Sequence, residues 1–345
     1  MPTLRAKPDD NDRRLDRVLR HAYPAVPPGA IAKAIRTGQV RINQRRVDGS
    51  VRVRTDDTIV VPDWHSTGRE RPVRRKDDGG PRLRDRKIVT RKWSAPILAR
   101  SDKLLVLAKP AEVEVHGRRA LDEAVRLVAA EAGWWSESVS FRPGPAHRLD
   151  RNTTGVLIFA LSNEGARELA TAFEQGTVAK AYLALVAGEL KQAVECDRAL
   201  RFESATRTAI PDPAGESAHT RFVPLQTSAT RELSLALCLP TTGRRHQIRA
   251  HAAAIGHPLV ADSQYGGPDG ASVNRALRFA QLPGGHMVLH ALVYRTPLGS
   301  WSAPLPSATY GALKHVFGDL SGVAARVRQT LANDDRFDRS AKVEL

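Results

Sequence analysis

The chain has 345 residues, of which 41% are hydrophobic and 26% are charged, and its formal net charge is +16. This length allows two domains with a sizeable core, and the positive charge indicates a polyanionic partner, with nucleic acid favoured over a membrane surface. No segment is apolar for long enough to span a membrane, and two distant cysteines exclude a disulfide framework. The first twelve residues lack an apolar core, so we expect a cytoplasmic protein without a signal peptide.

Residues 13–62 have the pattern of a small α+β domain. Apolar residues at helical spacing predict helices over residues 13–23 and 28–38, and alternating apolar residues predict a small sheet between residues 40 and 62. Five cations fall outside the apolar stripes: Lys33, Arg36, Arg41, Arg45 and Arg46. They fit a face that contacts a phosphate backbone, and on charge alone they fit an ordinary solvated surface equally well.

The segment 63–92 differs in composition from both of its neighbours. It carries eleven Lys or Arg between residues 69 and 92, few apolar residues and a Gly-Gly-Pro run at 79–81. Such a segment cannot bury enough apolar surface to fold alone. We therefore expect a basic flexible linker, which either tethers two domains or makes an extra contact with the polyanion.

A larger domain, expected over residues 93–320, is organised around the run AHRLDRNTTGVLIFAL at 146–161. Its apolar end predicts a strand covered on both faces, and Gly155 supplies the positive φ that a turn before it requires. Asp150 then lies on a loop at the mouth of a rigid strand, where catalytic groups concentrate. Arg148 and Arg151 favour its ionised form, which suits a nucleophile, a base or an ordinary loop ion pair.

Two further stretches of this domain carry polar residues on predicted elements. A strand over residues 178–186 places Lys180 and Tyr182 on the same face because side chains alternate with period two. A helix after residue 246 has a buried stripe, and Arg245 and Arg249 share another of its faces. Three histidines lie nearby (His246, His251 and His257), and for two of them phosphate contacts or helix packing are favoured over a zinc site, which needs converging ligands. Residues 321–345 are expected to form a C-terminal tail.

Two motifs in this order resemble those of a known family. His-Arg-Leu-Asp-Arg-Asn-Thr-Thr-Gly at 147–155 and Thr-Gly-Arg-Arg-His-Gln-Ile-Arg-Ala-His at 242–251 are similar to the signatures of the RluA-type pseudouridine synthases, with Thr154 where the family normally has Ser. Residues 13–62, with Arg-Thr-Gly-Gln-Val-Arg-Ile-Asn at 36–43, resemble the alpha-L RNA-binding domain. That domain precedes the catalytic part in the RluC-like members that act on large-subunit (23S) ribosomal RNA.

The resemblance implies an α+β fold: a mixed, mainly antiparallel catalytic sheet with flanking helices, plus a small N-terminal α+β RNA-binding domain. It implies an isomerase that converts specific uridines of RNA to pseudouridine without cofactor or metal. Asp150 is then the nucleophile, Arg249 its ion-pair partner, and Tyr182 the residue that stacks on the base and relays a proton. Arg148 is expected to enter the vacated base stack, and the remaining RNA contacts are assigned to Lys180, Arg244 and His246.

The expected partner is 23S ribosomal RNA or a pre-ribosomal particle, bound by a monomer away from any membrane. Three alternatives stay open: the same chemistry on tRNA, a catalytically idle RNA-binding or ribosome-assembly protein, and a DNA-binding protein. The last leaves both motifs without an explanation. Within the enzyme, elimination through a glycal is an alternative to nucleophilic attack.

Overall fold

The computed structural model describes residues 1–64, 81–90, 92–117, 119–135, 138–266 and 287–337. In these ranges the helices are α1 Leu15–Ala22, α2 Pro28–Arg36, α3 Leu121–Glu131, α4 Asn163–Glu174, α5 Gln247–Ala254, α6 Ser307–Phe317 and α7 Ser321–Ala332. The strands are β1 Thr3–Arg5, β2 Arg13–Arg14, β3 Arg41–Ile42, β4 Arg45–Arg46, β5 Arg52–Val53, β6 Thr58–Val60, β7 Arg82–Arg84, β8 Lys87–Val89, β9 Ser94–Arg100, β10 Leu104–Lys109, β11 Gly144–Pro145, β12 Thr154–Ala160, β13 Ala179–Ala187, β14 Val194–Cys196, β15 Leu200–Glu203, β16 Thr208–Pro211, β17 Thr220–Ser228, β18 Leu233–Pro240, β19 Leu289–Thr296 and β20 Gly299–Ser302.

The N-terminal domain packs α1 and α2 against a small sheet of order β1-β6-β3-β4, with β2 paired to β5. Leu15, Val18 and Leu19 lie on one face of α1 and are fully buried, as their helical spacing predicts. Pro28 occupies the first turn of α2, where its missing N–H has no cost. The predicted α+β character of this domain is confirmed.

The large domain is built on one sheet of order β14-β17-β18-β13-β19-β12-β10-β9-β8-β7, in which β11 also pairs with β12 and β20 with β19. Its pairs are antiparallel except for β12 with β19. Tyr182 and Ala184 of β13 point into one core, which also contains residues of α3, α4 and α5. Leu183 and Leu185 point into a second core with α6 and α7. Helices therefore flank both faces of a mainly antiparallel sheet, which confirms the predicted fold class.

Gly155 fixes the junction between the Asp150 loop and β12. Its φ is +108°, and a Cβ there would collide with the backbone of Ala291 on β19. The parallel pairing of β12 and β19 therefore requires glycine at this position, in agreement with the positive φ expected from the turn. The strand that follows is buried along its whole length, again as predicted.

Part of the segment expected to be a flexible linker, 63–92, is regular structure. β7 and β8 form a hairpin, and β8 pairs with β9 at the edge of the large sheet. The pairing satisfies backbone groups that the segment could not satisfy alone, and Ile88 is fully buried in the adjoining core. The linker prediction is wrong for this hairpin, and residues 65–80 and 91 lie outside the described residues.

The segment 321–345 was expected to be a C-terminal tail, but its first half is helix α7. Val323, Val327 and Leu331 recur at four-residue spacing on α7, and all three are buried in the second core. Phe337 is also buried there. The tail prediction is therefore wrong for residues 321–337, and the remaining eight residues lie outside the described part of the chain.

Candidate active site

The loop that carries Asp150 is tied down by Lys109, the last residue of β10. The Lys109 Nζ donates to the carbonyl oxygens of Pro110 at 2.9 Å, Arg151 at 2.8 Å and Thr153 at 2.9 Å. An ammonium group has three donors, so all of them are used. Lys109 is 1% exposed, and this burial lowers its pKa to about 7, opposed by the nearby Asp150 carboxylate. Sequence analysis assigned no chemistry to this residue.

The Asp150 carboxylate faces two basic side chains of the second motif. Its Oδ2 lies 3.3 Å from Arg249 Nη1, and its Oδ1 lies 3.7 Å from His246 Nε2. The Asp150 side chain retains 18% exposure, whereas those of Arg249 and His246 retain 7% and 9%. The structure thus brings Asp150 and Arg249 together, 99 residues apart in sequence, and leaves the carboxylate side chain partly exposed.

Arg249 is held rigidly by acceptors that lie beyond the second motif. Its Nε and Nη2 each donate to Asp262 at 2.7 Å in a bidentate pair, and Nη2 also donates to Gln264 Oε1 at 2.8 Å. The guanidinium carbon lies 4.9 Å from the centre of the Tyr265 ring. Because Asp262 occupies one edge of the guanidinium, Nη1 is left to face Asp150. Sequence analysis gave Asp262 no role.

His246, expected to contact RNA, lies in the same cluster as Asp150. Its Nδ1 lies 3.0 Å from the Tyr265 hydroxyl, and that hydroxyl accepts the Ala209 N–H at 2.6 Å. With the N–H of Ala209 as donor, the hydroxyl proton is directed to Nδ1, which leaves the imidazole proton on Nε2, facing Asp150. Burial lowers the pKa of His246, while the Asp150 charge opposes that effect.

Two buried phenols lie in the same core beside this cluster. The hydroxyl of Tyr182 is 2.5 Å from that of Tyr294, and the Tyr294 ring stacks on His147 with centroids 4.3 Å apart. His147 Nε2 accepts the Ile158 N–H at 3.1 Å. Burial raises the pKa of both tyrosines and lowers that of His147 to about 3, so all three rings are neutral near pH 7. Sequence analysis missed the pairing of Tyr294 with Tyr182.

Thr154, which stands where the RluA-type signature has Ser, uses its hydroxyl in the sheet. The His290 Nε2–H donates to the Ala303 carbonyl at 2.9 Å, which leaves Nδ1 to accept from Thr154 Oγ1 at 2.7 Å. Burial lowers the pKa of His290 to about 4, consistent with that neutral tautomer. Any hydroxyl at position 154 preserves this bond, which explains why the exchange of Ser for Thr leaves the loop intact.

Comparison with known proteins identifies the family to which this geometry belongs. Residues 103–254 match the family "RNA pseudouridylate synthase", and residues 13–59 match the S4 domain. A ribosomal large subunit pseudouridine synthase C of Vibrio vulnificus (strain CMCP6) is 31% identical over 262 residues, covering 74% of this chain and 76% of that protein. The chain belongs to the RNA pseudouridylate synthase family. Its large domain is the catalytic domain.

Other relatives agree with this assignment. The ribosomal large subunit pseudouridine synthase C of Escherichia coli (strain K12) is 31% identical over 266 residues, covering 75% of this chain and 77% of that protein. Among solved structures, human RNA Pseudouridylate Synthase Domain Containing 4 superposes with a TM-score of 0.53 at 21% identity, covering 64% of this chain and 92% of that one. The latter similarity supports the fold of the synthase. No helix in the described ranges is long and apolar enough to cross a membrane.

Lys180 and Arg244, assigned to RNA contacts from the sequence, support the second motif of this synthase from within. Lys180 is 7% exposed, and its Nζ donates to the Thr242 carbonyl at 2.6 Å; burial lowers its pKa to about 8. Arg244 Nε donates to the Ser217 carbonyl at 2.9 Å, and its other arm pairs with Glu216. Both cations bond to protein acceptors in this structure, and their expected RNA contacts stay predictions. Arg148 is exposed, as its expected role requires.

The other two histidines of the second motif point elsewhere. His251 contacts the Thr220 hydroxyl at 3.0 Å and the Arg198 carbonyl at 2.9 Å, and His257 contacts the Ala187 carbonyl at 2.9 Å. These contacts anchor α5 and its end to neighbouring strands. They agree with the packing interpretation of the two residues.

Arg245 was not singled out as a site residue, yet it lies at the mouth of the site. Its guanidinium carbon is 3.9 Å from the centre of the Phe202 ring on β15, and its buried Nε has no hydrogen-bond partner within the described part of the chain. Burial lowers its pKa, and the nearby Arg148 and Arg207 charges act in the same direction. The charges of Arg148 and Arg207 therefore add to that of Arg245, which favours binding of an anion beside it.

The S4 domain presents its basic residues to solvent. All five cations predicted to contact phosphate are exposed: Lys33, Arg36, Arg41, Arg45 and Arg46. A groove between α1, α2 and the loop after β4 is lined by four arginines (Arg14, Arg20, Arg36 and Arg46). This surface has the charge and accessibility that a phosphate backbone requires.

Proposed function

We propose that this enzyme isomerises uridine to pseudouridine in large-subunit ribosomal RNA. The substrate class is supported by the names of its relatives in Vibrio vulnificus and Escherichia coli, which are large-subunit synthases. The matched S4 domain with its exposed cations supplies the affinity for structured RNA. Pre-ribosomal RNA, whose helices are still accessible, is the form of substrate that this surface suits best.

We further propose that Asp150 is the nucleophile. The observation that carries this proposal is the arrangement of its carboxylate, 3.3 Å from a guanidinium that is itself fixed by Asp262. A rigid guanidinium partner orients the carboxylate without reorganisation during the reaction. The Asp150 side chain is partly exposed, as attack on the ribose of an extruded nucleotide requires.

The reaction proceeds in two covalent steps. Asp150 Oδ attacks the ribose C1′, forming a C–O bond as the bond from C1′ to the uracil N1 breaks, and the electron pair stays on the uracil. The detached uracil turns within the pocket and its C5 displaces the carboxylate from C1′. Transfer of the C5 proton to N1 completes the isomerisation, so no oxidant, reductant or other co-substrate is consumed.

Tyr182 and Arg148 position the nucleotide for these steps. A base within a helix cannot reach Asp150 and must be extruded, which costs about a few kcal/mol of unstacking. Arg148, which is exposed, then fills the vacated stack. The detached uracil stacks on the Tyr182 ring. Because the Tyr182 phenol is neutral, it relays a proton by exchanging one with the Tyr294 hydroxyl through their hydrogen bond.

Pseudouridine mapping of total RNA tests the substrate. Carbodiimide-dependent reverse-transcription stops are compared between a deletion strain and strains that carry the wild-type or the Asp150→Asn gene. We expect a stop in large-subunit rRNA that disappears on deletion and returns only with the wild-type gene. A lost stop in tRNA alone would refute the substrate class while retaining the chemistry, and no lost stop would favour an idle RNA-binding protein.

A further inference from the structure

The S4 domain is joined to the catalytic domain by a buried carboxylate. Asp10, at the end of the short 3-10 helix Pro8–Asp10, is 0% exposed. Its carboxylate accepts the N–H groups of Val139 at 3.0 Å and Ser140 at 2.7 Å, and the hydroxyls of Ser138 at 3.1 Å and Ser140 at 2.5 Å. It also accepts the Lys7 N–H at 2.8 Å. Four of these five donors come from the catalytic domain.

Two neighbours of Asp10 extend the contact. Asp9 Oδ1 accepts the Asn163 N–H at 2.9 Å, at the first residue of α4, where the helix dipole favours a negative charge. Arg13 Nη1 donates to the Ser140 carbonyl at 2.5 Å and to its hydroxyl at 3.1 Å. The turn at residues 138–141 is therefore bound by an anion, Asp10, and a cation, Arg13, of the N-terminal domain.

Val139 inserts an apolar side chain between these polar bonds. It belongs to the catalytic domain, is 6% exposed and packs in the hydrophobic cluster of the S4 domain with Val18 and Val61 among others. The S4 core is thus completed by a residue of the other domain. An S4 domain that swung on its linker would expose Val139 and leave the donors around Asp10 without acceptors, which is costly for buried groups.

We propose that this interdomain contact holds the S4 domain at a fixed distance from the active site and thereby selects the substrate. The contact is formed by Asp9, Asp10 and Arg13 with residues 138–141 and Asn163. The inference rests on the proposed function and adds how the RNA is chosen. A rigid contact raises the effective concentration of the second binding event only for an RNA whose spacing matches, whereas a flexible tether accepts many spacings. The substrate is then a structured RNA whose S4-bound helix and target uridine lie a fixed distance apart, and Asp10 is a positioning residue.

A distance measurement tests the contact without reference to activity. Spin labels are placed on the full-length protein at Gln39→Cys and Lys191→Cys, both exposed, while Cys196 and Cys238 are buried and do not compete. Pulsed electron paramagnetic resonance should give one narrow distribution of distances between the labels in the parent and a broad one in Asp10→Asn. The broadening is expected because the NH2 group of asparagine would face N–H donors. The matched control is Asp56→Asn, which has the same charge change at an exposed ion pair with Arg5 and a positive φ that Asn tolerates. A broad distribution in the parent, or a narrow one in Asp10→Asn, would overturn the proposal.

Two substrates then test selection. On a full-length large-subunit rRNA transcript, we expect Asp10→Asn to lower kcat/KM about tenfold through KM, because the S4 contact no longer places the target. On a short stem-loop that contains the mapped uridine and does not reach the S4 domain, kcat/KM should change less than about twofold. Equal losses on both RNAs would show general damage and overturn the proposal. If the parent forms no pseudouridine in rRNA, the proposed function fails, while the distance measurement still decides whether the domains are fixed.

Discussion

Replacing Lys109 by methionine tests whether the Asp150 loop is held by one buried ammonium group. Methionine keeps the length of the side chain and removes its three hydrogen bonds to the carbonyls of Pro110, Arg151 and Thr153. Each buried carbonyl left without a donor costs about 1–3 kcal/mol, and the total is about 3–5 kcal/mol, since the exposed Arg151 regains water. A loop displaced by about 1 Å would in addition lower kcat about 100-fold.

The pH dependence of stability gives this substitution a second signature. The pKa of Lys109 is about 7 in the folded protein, below the ordinary value of 10.5, because the amine is buried. Below pH 7 the Lys109 amine is protonated in both the folded and the unfolded protein, and the full cost of burying its charge is present. Between about pH 7 and 10.5 the unfolded chain binds more protons, so this group makes the free energy of unfolding rise with pH, by up to about 1.4 kcal/mol per unit. Lys109→Met lacks that rise.

Urea denaturation at several pH values measures both effects, with single-turnover pseudouridine formation for the rate. The matched control is Lys103→Met, which makes the same exchange at a surface ion pair with Glu164 and Glu168 and should leave the free energy of unfolding close to that of the parent. If Lys109→Met were as stable and as active as Lys103→Met, the loop would not depend on this ammonium, and our reasoning would be refuted.

Three other substitutions probe the geometry of the site. Gly155→Ala places a Cβ against the Ala291 backbone at a φ of +108°, and calorimetry should show a loss of about 3 kcal/mol, whereas Gly322→Ala, in open space on α7, should not. Arg249→Lys keeps the charge but loses the bidentate pair with Asp262, so kcat/KM should fall about 100-fold at constant RNA affinity; full activity would refute the orienting role. Tyr294→Phe keeps the ring stacked on His147 and removes the hydroxyl bonded to Tyr182, so single-turnover rates should fall at least about tenfold; unchanged rates would exclude the pair from proton transfer.

The sequence predicted those features that depend on local periodicity. The buried strand after Asp150 and the positive φ of Gly155 follow from the apolar pattern and turn chemistry, and the structure confirms them. The grouping of Asp150 with Arg249 was expected only from resemblance. Helical spacing by itself does not reveal what a cation contacts.

The features that the sequence did not predict depend on partners distant along the chain. Lys109 donates to carbonyls 42 and 44 residues away, and Asp262 accepts from Arg249, 13 residues away, so no local pattern reveals their importance. The hairpin at 82–89 looked disordered because its hydrogen-bond partner, β9, lies in the next domain. Helix α7 was missed because the polar residues around it outweighed its apolar stripe, although the spacing of Val323, Val327 and Leu331 was a visible signal. For Lys109, the visible signal was a lysine followed by proline at the end of an apolar strand.

The central claim is that Asp150 forms the bond to ribose, and tritium release tests it most directly. RNA labelled with tritium at C5 of uridine loses the label when C5 becomes bonded to ribose, so the release counts completed isomerisations. With purified enzyme in single-turnover conditions, we expect release by the wild type and none by Asp150→Asn, with RNA affinity retained within about tenfold because the phosphate contacts remain. Release at the wild-type rate by Asp150→Asn would contradict the account, since an amide cannot replace the carboxylate as nucleophile.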